Sequence, residues 1–150
     1  MGNKIAVRGI ALYKNQLLCV KLKPYTENLK KDHSFWCLPG GGLETGETLL
    51  EAITREMIEE TGVKPIVGNL LYVHQFRHGP KEYLEFFFHV TNSRDYLSID
   101  LAKTTHGLKE IEEVDFVDPT KFKVLPKFLA TEPLNAHVLN NEPTKIMSYL

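Results

Sequence analysis

Apolar residues along this chain fall into short blocks separated by polar or glycine-rich breaks. Residues 4–12 and 17–22 are apolar and rich in β-formers, with Lys14, Asn15 and Gln16 between them, which predicts a hairpin. Residues 23–34 are polar and read as a loop. Phe35 to Leu38 reads as a short buried strand, ended by Pro39-Gly40-Gly41-Gly42. Pro65 to Phe76 and Glu82 to Val90 read as two long strands joined through residues 77–81. Phe86, Phe87 and Phe88 follow one another without polar alternation, so both faces of that strand are expected to be covered. Residues 91–109 are polar and irregular. Val114 to Val117 reads as a last short strand and Leu125 to Ala130 as a short helix, while the tail from Thr131 carries no clear pattern.

One segment has strong helical periodicity. Thr48-Leu49-Leu50-Glu51 spells a capping box, in which hydroxyl and carboxylate satisfy backbone N–H groups reciprocally. A helix is expected from Leu49 to Thr61, with Gly62 as its stop. On a helical wheel Leu49, Leu50, Ile53 and Met57 form the core face, and Glu51 and Arg55 face water. Glu56, Glu59 and Glu60 cluster beside that core face, with Glu60 inside its edge. Three acids near a helix C-terminus repel one another and oppose the helix dipole. Taken alone they read as a charged surface. Partly buried, they require protonation, a paired base or a cation, and Arg55 reaches Glu59 at i,i+4 but cannot serve all three. Oxygen ligands of this kind favour magnesium, with manganese possible, over zinc. The preceding Gly40-Gly41-Gly42 run is by itself an ordinary turn. Joined to an acid-rich helix, its bare backbone suits close approach to an ion or a phosphate.

The order of strands, one strong helix, further strands and weak helices argues for an α+β fold, with a mixed β-sheet covered by helices. The 150 residues suit a single domain over 1–150, and 43% hydrophobic with 25% charged residues is a globular balance. A net charge of −1 offers no basic field for nucleic acid. No apolar stretch is long enough to span a membrane and no signal peptide is evident, so a cytoplasmic location is expected. Cys19 and Cys37 are expected to be unpaired small core residues.

The pattern Gly41-x5-Glu47-x7-Arg55-Glu56-Met57-x-Glu59-Glu60-x-Gly62-Val63 resembles the signature of the Nudix hydrolases at every fixed position. The approach through Trp36-Cys37-Leu38-Pro39-Gly40 is also similar to that family. The resemblance implies an α/β/α sandwich and hydrolysis of a pyrophosphate bond in a nucleoside diphosphate linked to another group. That group spans nucleoside triphosphates, oxidised nucleotides, nucleotide sugars and dinucleoside polyphosphates. It implies Glu56, Glu59, Glu60 and the Gly40 carbonyl as metal ligands, Arg55 as the group orienting them, and Glu47 in support. A small nucleotide is the implied partner, and a homodimer is possible.

A base for the attacking water is expected just before the last strand. Glu110 matches best, Glu113 is the runner-up, and Glu112 belongs to the same run; all three also read as loop solubilisers. Gly41, Lys21, Lys23 and Arg77 are phosphate-binding candidates, although single basic residues are more often surface charges. Tyr25, Phe35 and Tyr83 can stack on a base or simply fill core. His74, His78, His89 and His106 show no ligand spacing and read as ordinary. Pro80 stands near a proline of the family's ADP-ribose hydrolases, but it also fits a Gly79-Pro80 turn, so it selects no substrate. The alternative is a Nudix-fold nucleotide-binding or regulatory protein without hydrolase activity. Against it, all the signature acids are present.

Overall fold

A computed structural model describes residues 3–23, 34–104 and 107–150. The loop reading of residues 24–33, and the candidates Tyr25 and His106, lie outside the described residues.

Among the described residues ten strands form two sheets. The larger holds β1 (Lys4–Ile10), β5 (Gly40–Gly42), β6 (Val67–His78), β7 (Lys81–Val90) and β10 (Lys145–Tyr149), in the order β10-β6-β7-β1-β5. It is mixed: β1 runs parallel to β7 and β10 parallel to β6, while β6–β7 and β1–β5 are antiparallel. The second sheet orders β2 (Leu12–Tyr13), β3 (Gln16–Leu22), β4 (Trp36–Cys37) and β9 (Val124–Leu125), with β8 (Ile111–Val117) also pairing β3. The α+β class and the mixed pairing are as expected, but the strands divide between two sheets rather than one.

The helix is where the capping box puts it. The helix α1 spans Leu49–Thr61; the Thr48 hydroxyl accepts from the Glu51 N–H at 3.1 Å, and the Glu51 carboxylate accepts from the Thr48 N–H at 3.0 Å. Such a cap contributes about 1 kcal/mol. Gly62, at φ 76°, closes the helix by donating to the Ile58 carbonyl. Ala52, Ile53 and Met57 are fully buried against Val7, Leu18, Phe88 and Val90. Each large apolar side chain buried there is worth roughly 1.5–3 kcal/mol. Leu50 departs from expectation. It is 55% exposed, while its neighbour Leu49 packs against the cluster under α1.

On the opposite side, Tyr72, Phe87, Trp36 and Leu38 pack with Phe128, Leu129 and Leu134 from the C-terminal turns and from α3 (Leu134–Leu139). Phe87 enters this cluster while Phe86 and Phe88 join the one under α1, so both faces of β7 are covered as expected.

Further expectations need correcting. The hairpin at Lys14 and Asn15, both at positive φ, joins β2 to β3, while β1 leaves for the other sheet and pairs β7. The glycine run does not end regular structure; Gly40–Gly42 is itself a strand against β1. There the lack of a side chain is what permits pairing, since a Cβ on Gly40 (φ 146°) would overlap the Val7 carbonyl. Residues 107–113 are not a loop either. A helical turn, α2 (Gly107–Glu110), runs directly into β8. The last strand is β10, in the tail left unassigned, and a 3-10 turn at Lys127–Ala130 replaces the helix expected from Leu125. Cys19 and Cys37 are both unpaired.

Candidate active site

A cavity of about 870 Å³ opens beside α1 and is walled on one side by Gly40, Gly41, Glu56, Glu60 and Glu110. The glycine strand sets the distance between helix and sheet. A Cβ on Gly41 would stand 2.6 Å from a Glu56 carboxylate oxygen, so any side chain there would displace that acid.

Arg55 does not face water. Its guanidinium donates to both oxygens of Glu47 at 2.7 and 2.9 Å, to Glu56 at 3.0 Å, to Glu59 at 3.1 Å and to the Gly42 carbonyl at 3.1 Å. The wheel misplaced it because it counts directions from the axis and ignores Glu47 in the loop before the helix. The bidentate grip holds the Glu47 carboxyl well below the usual range, at about 2. One cation thus hydrogen-bonds three carboxylates, with a fourth, Glu44, at 3.7 Å.

Glu60 is left out of that arrangement. It is 6% exposed, and its carboxylate accepts the Gly40 N–H at 3.2 Å. Burial pushes its carboxyl up to about 8, with Glu56 and Glu110 adding repulsion and Arg8 easing it. Glu56 is raised as well, mainly by burial. Among the described residues no three acids, imidazoles or thiols already converge as a metal cage. Arg55 holds Glu56 and Glu59, and the Gly40 N–H holds Glu60. The donor set still fits a hard divalent cation: buried carboxylate oxygens, a net deficit of positive charge and a side-chain-free strand alongside.

Glu110 ends α2 at the cavity wall, close enough to Glu60 to raise its carboxyl. Glu112 and Glu113 lie exposed on β8, away from the cavity lining. Lys23 is exposed and donates its backbone N–H to the Glu110 carbonyl at 2.8 Å, and it is not among the lining residues. Arg77 is a correction: it is exposed at the hairpin end, pairs with Glu82 at 2.9 Å and does not reach the cavity. Lys21 sits over the Trp36 ring. The cationic side chains that do line the cavity, Arg8 and Lys127, carried no signal in the sequence reading.

Of the far wall, only Phe35 was a candidate from the sequence. Phe35, His74, Phe76, Phe128 and Tyr149 line it. His74 stacks on Phe76 at 4.6 Å, Phe76 stacks on Tyr83 at 4.8 Å, and Tyr149 and Phe128 meet His74 edge-on. His74 is therefore not ordinary. Its Nδ1 lies 3.0 Å from the Glu85 carboxylate, whose other oxygen accepts from Arg8 Nε at 3.0 Å. The strand period carried a usable signal: Tyr72-x-His74-x-Phe76 and Tyr83-x-Glu85-x-Phe87 each set one polar residue in an aromatic stripe. Cys37 also lines the cavity, but burial pushes its thiol up to about 11, which leaves it unreactive.

A family model described as NUDIX domain matches residues 2–138, nearly the whole chain. The chain belongs to the NUDIX family. An ADP-ribose pyrophosphatase from Methanocaldococcus jannaschii is 41% identical over 73 residues, covering 47% of this chain and 38% of that protein. The match thus spans well under half of that relative's length. Among solved structures, a UDP-X diphosphatase superposes with a TM-score of 0.71 at 23% identity, covering 97% of this chain and 68% of that one. A MutT protein from Methanosarcina mazei Go1 superposes at 0.66 and 21% identity, covering 95% and 97%. At such identities the likeness establishes the NUDIX fold and nothing finer. Among the described residues no helix is long and apolar enough to cross a membrane.

Proposed function

We propose that this NUDIX protein hydrolyses a pyrophosphate bond in a nucleoside diphosphate linked to a further group, with magnesium, or manganese in its place, held by Glu56, Glu59, Glu60 and the Gly40 carbonyl. The observation that carries this reading is Glu60: a buried carboxylate at a cavity wall, beside two other acids, with a backbone N–H as its hydrogen-bond partner. When bound, the ion supplies neutralising charge at the phosphates and lowers the pKa of a coordinated water. The chain supplies the rest. Arg55, braced by Glu47, fixes Glu56 and Glu59. Glu110 takes the proton from the attacking water. The Gly41 backbone, Arg8 and Lys127 meet the phosphates, and the aromatic wall receives the base.

The pyrophosphatase relative supports ADP-ribose as one member of the substrate class. In this reading the protein works in the cytoplasm on a small nucleotide, away from nucleic acid and membranes; a homodimer is the expected assembly, checked by light scattering. The test is a phosphate-release screen over nucleoside triphosphates, oxidised nucleotides, ADP-ribose, nucleotide sugars and dinucleoside polyphosphates, with and without magnesium. Turnover of one class, abolished by chelation, supports the reading. Nucleotide binding without turnover across the panel favours a binding or regulatory role instead.

A further inference from the structure

Three adjacent strands carry one polar chain across the cavity floor. His74 on β6 stands directly opposite Glu85 on β7, and Arg8 comes from β1 on the other side of β7. The order is Arg8 guanidinium, Glu85 carboxylate, His74 imidazole, with 3.0 Å at each link, and Arg8 also donates to the Leu38 carbonyl at 3.3 Å. The His74 and Glu85 side chains are only 7% and 10% exposed. This chain of contacts does not touch the box carboxylates.

The charges fix the hydrogen positions. Glu85 is ionised: its carboxyl is held below the usual range by the His74 hydrogen bond and by Arg8, against the effect of burial. An ionised carboxylate only accepts, so His74 Nδ1 carries the hydrogen. With that hydrogen on Nδ1, the acceptor of the neutral imidazole is Nε2, on the side away from Glu85. It has no hydrogen-bond partner among the described residues, and the residue lines the cavity. Around it, Phe76 stacks on the ring face while Phe128 and Tyr149 close its edges, so the nitrogen sits in an aromatic slot.

We infer that His74 is a specificity-determining residue whose Nε2 accepts a hydrogen bond from an amino group on the base of the substrate, with Glu85 and Arg8 as positioning residues that hold it in the accepting form. This rests on the nucleotide reading above. A ring with an oxo group at the same position would set two acceptors against each other and leave both unsatisfied. The slot therefore favours adenine or cytosine over hypoxanthine or uracil.

The test compares kcat/KM, with magnesium, for ADP-ribose against its hypoxanthine counterpart and for CTP against UTP. The amino member of whichever pair is turned over should be preferred by about tenfold. His74→Phe keeps the aromatic packing and should bring the two members within about twofold. Glu85→Gln offers an amide donor to Nδ1, reversing the tautomer, and should move the preference towards the oxo member, a change that lost packing alone would not produce. Equal treatment of both members by the wild type, or an unchanged ratio in His74→Phe, overturns the inference. If neither pair is turned over, the wider phosphate-release screen decides the hydrolase reading separately, and calorimetric binding of AMP against IMP decides the slot. Tighter AMP binding lost in His74→Phe supports it, and equal affinity overturns it.

Discussion

Two buried carboxylates line the same cavity, and their surroundings differ in kind. Glu85, 8% exposed, lies between Arg8 and His74, and its carboxyl is held low. Glu60, 6% exposed, has the Gly40 N–H and two neighbouring acids, and its carboxyl is pushed up to about 8. Burial penalises both charges alike. What separates them is that Arg8 pairs directly with Glu85 at 3.0 Å, whereas Glu60 has no direct ion-pair partner among the described residues and Arg8 eases its charge only partly against two neighbouring acids. A buried charge compensated in the fold is a fixed structural element. A buried charge left uncompensated is a place prepared for something that comes from outside.

The sharpest way to break this contrast is Glu60→Gln. It should cut turnover by at least about 10³-fold, since a metal ligand is worth several kcal/mol of transition-state stabilisation. Circular dichroism should report an unchanged fold, and near-normal activity would remove the metal assignment. Next, Glu110→Gln should lower kcat by about 10²-fold or more with little change in magnesium affinity, measured by steady-state kinetics and calorimetry. If Glu113→Gln or Glu112→Gln does so instead, the base is misassigned. Removing Glu85 should act on stability. In urea, Glu85→Ala should lose about 3 kcal/mol because it strands Arg8, whereas Glu60→Gln in chelator should be neutral or stabilising. Arg55→Ala should weaken magnesium binding by roughly 10–100-fold, as expected where a group that orients ligands is lost.

A pH dependence tests the same contrast without a substitution. Between about 4.5, the ordinary carboxyl value, and about 8, the unfolded chain has released the Glu60 proton and the folded chain has not. The unfolded state binds fewer protons there, so metal-free stability should fall as pH rises through that window and level off above it. The slope should reach at most about 1.4 kcal/mol per pH unit. Melting temperatures in chelator read it directly, and Glu60→Gln should abolish it. Glu85, with its carboxyl lowered, gives the opposite sign: its contribution is lost as pH falls through the acid range.

The acidic wall was legible because it is nearly continuous in sequence. Capping box, apolar spacing and glutamates all lie in one helix, so a wheel places Glu60 against the core without any knowledge of the sheet. Its error at Arg55 came from Glu47, a partner outside the helix. The aromatic wall is assembled from Phe35 before β4, β6, the Lys127–Ala130 turn and β10, with Arg8 of β1 and Glu85 of β7 beside it. No local pattern says that β1 will run beside β7 or that Tyr149 will pair opposite Phe76. Register across a parallel pair is set by packing between distant segments. Even so, a lone histidine and a lone glutamate in alternating aromatic stripes marked the face on which that wall would form.

The most direct test of the central claim, that the charge of Glu60 is compensated by a divalent cation, is calorimetric titration of magnesium into the metal-free protein at pH 7. It should be run in two buffers of different ionisation heat. Binding accompanied by proton release, and lost in Glu60→Gln, is the predicted result, because the carboxyl must give up its proton to take the ion. Binding that releases no proton and survives in Glu60→Gln would contradict it.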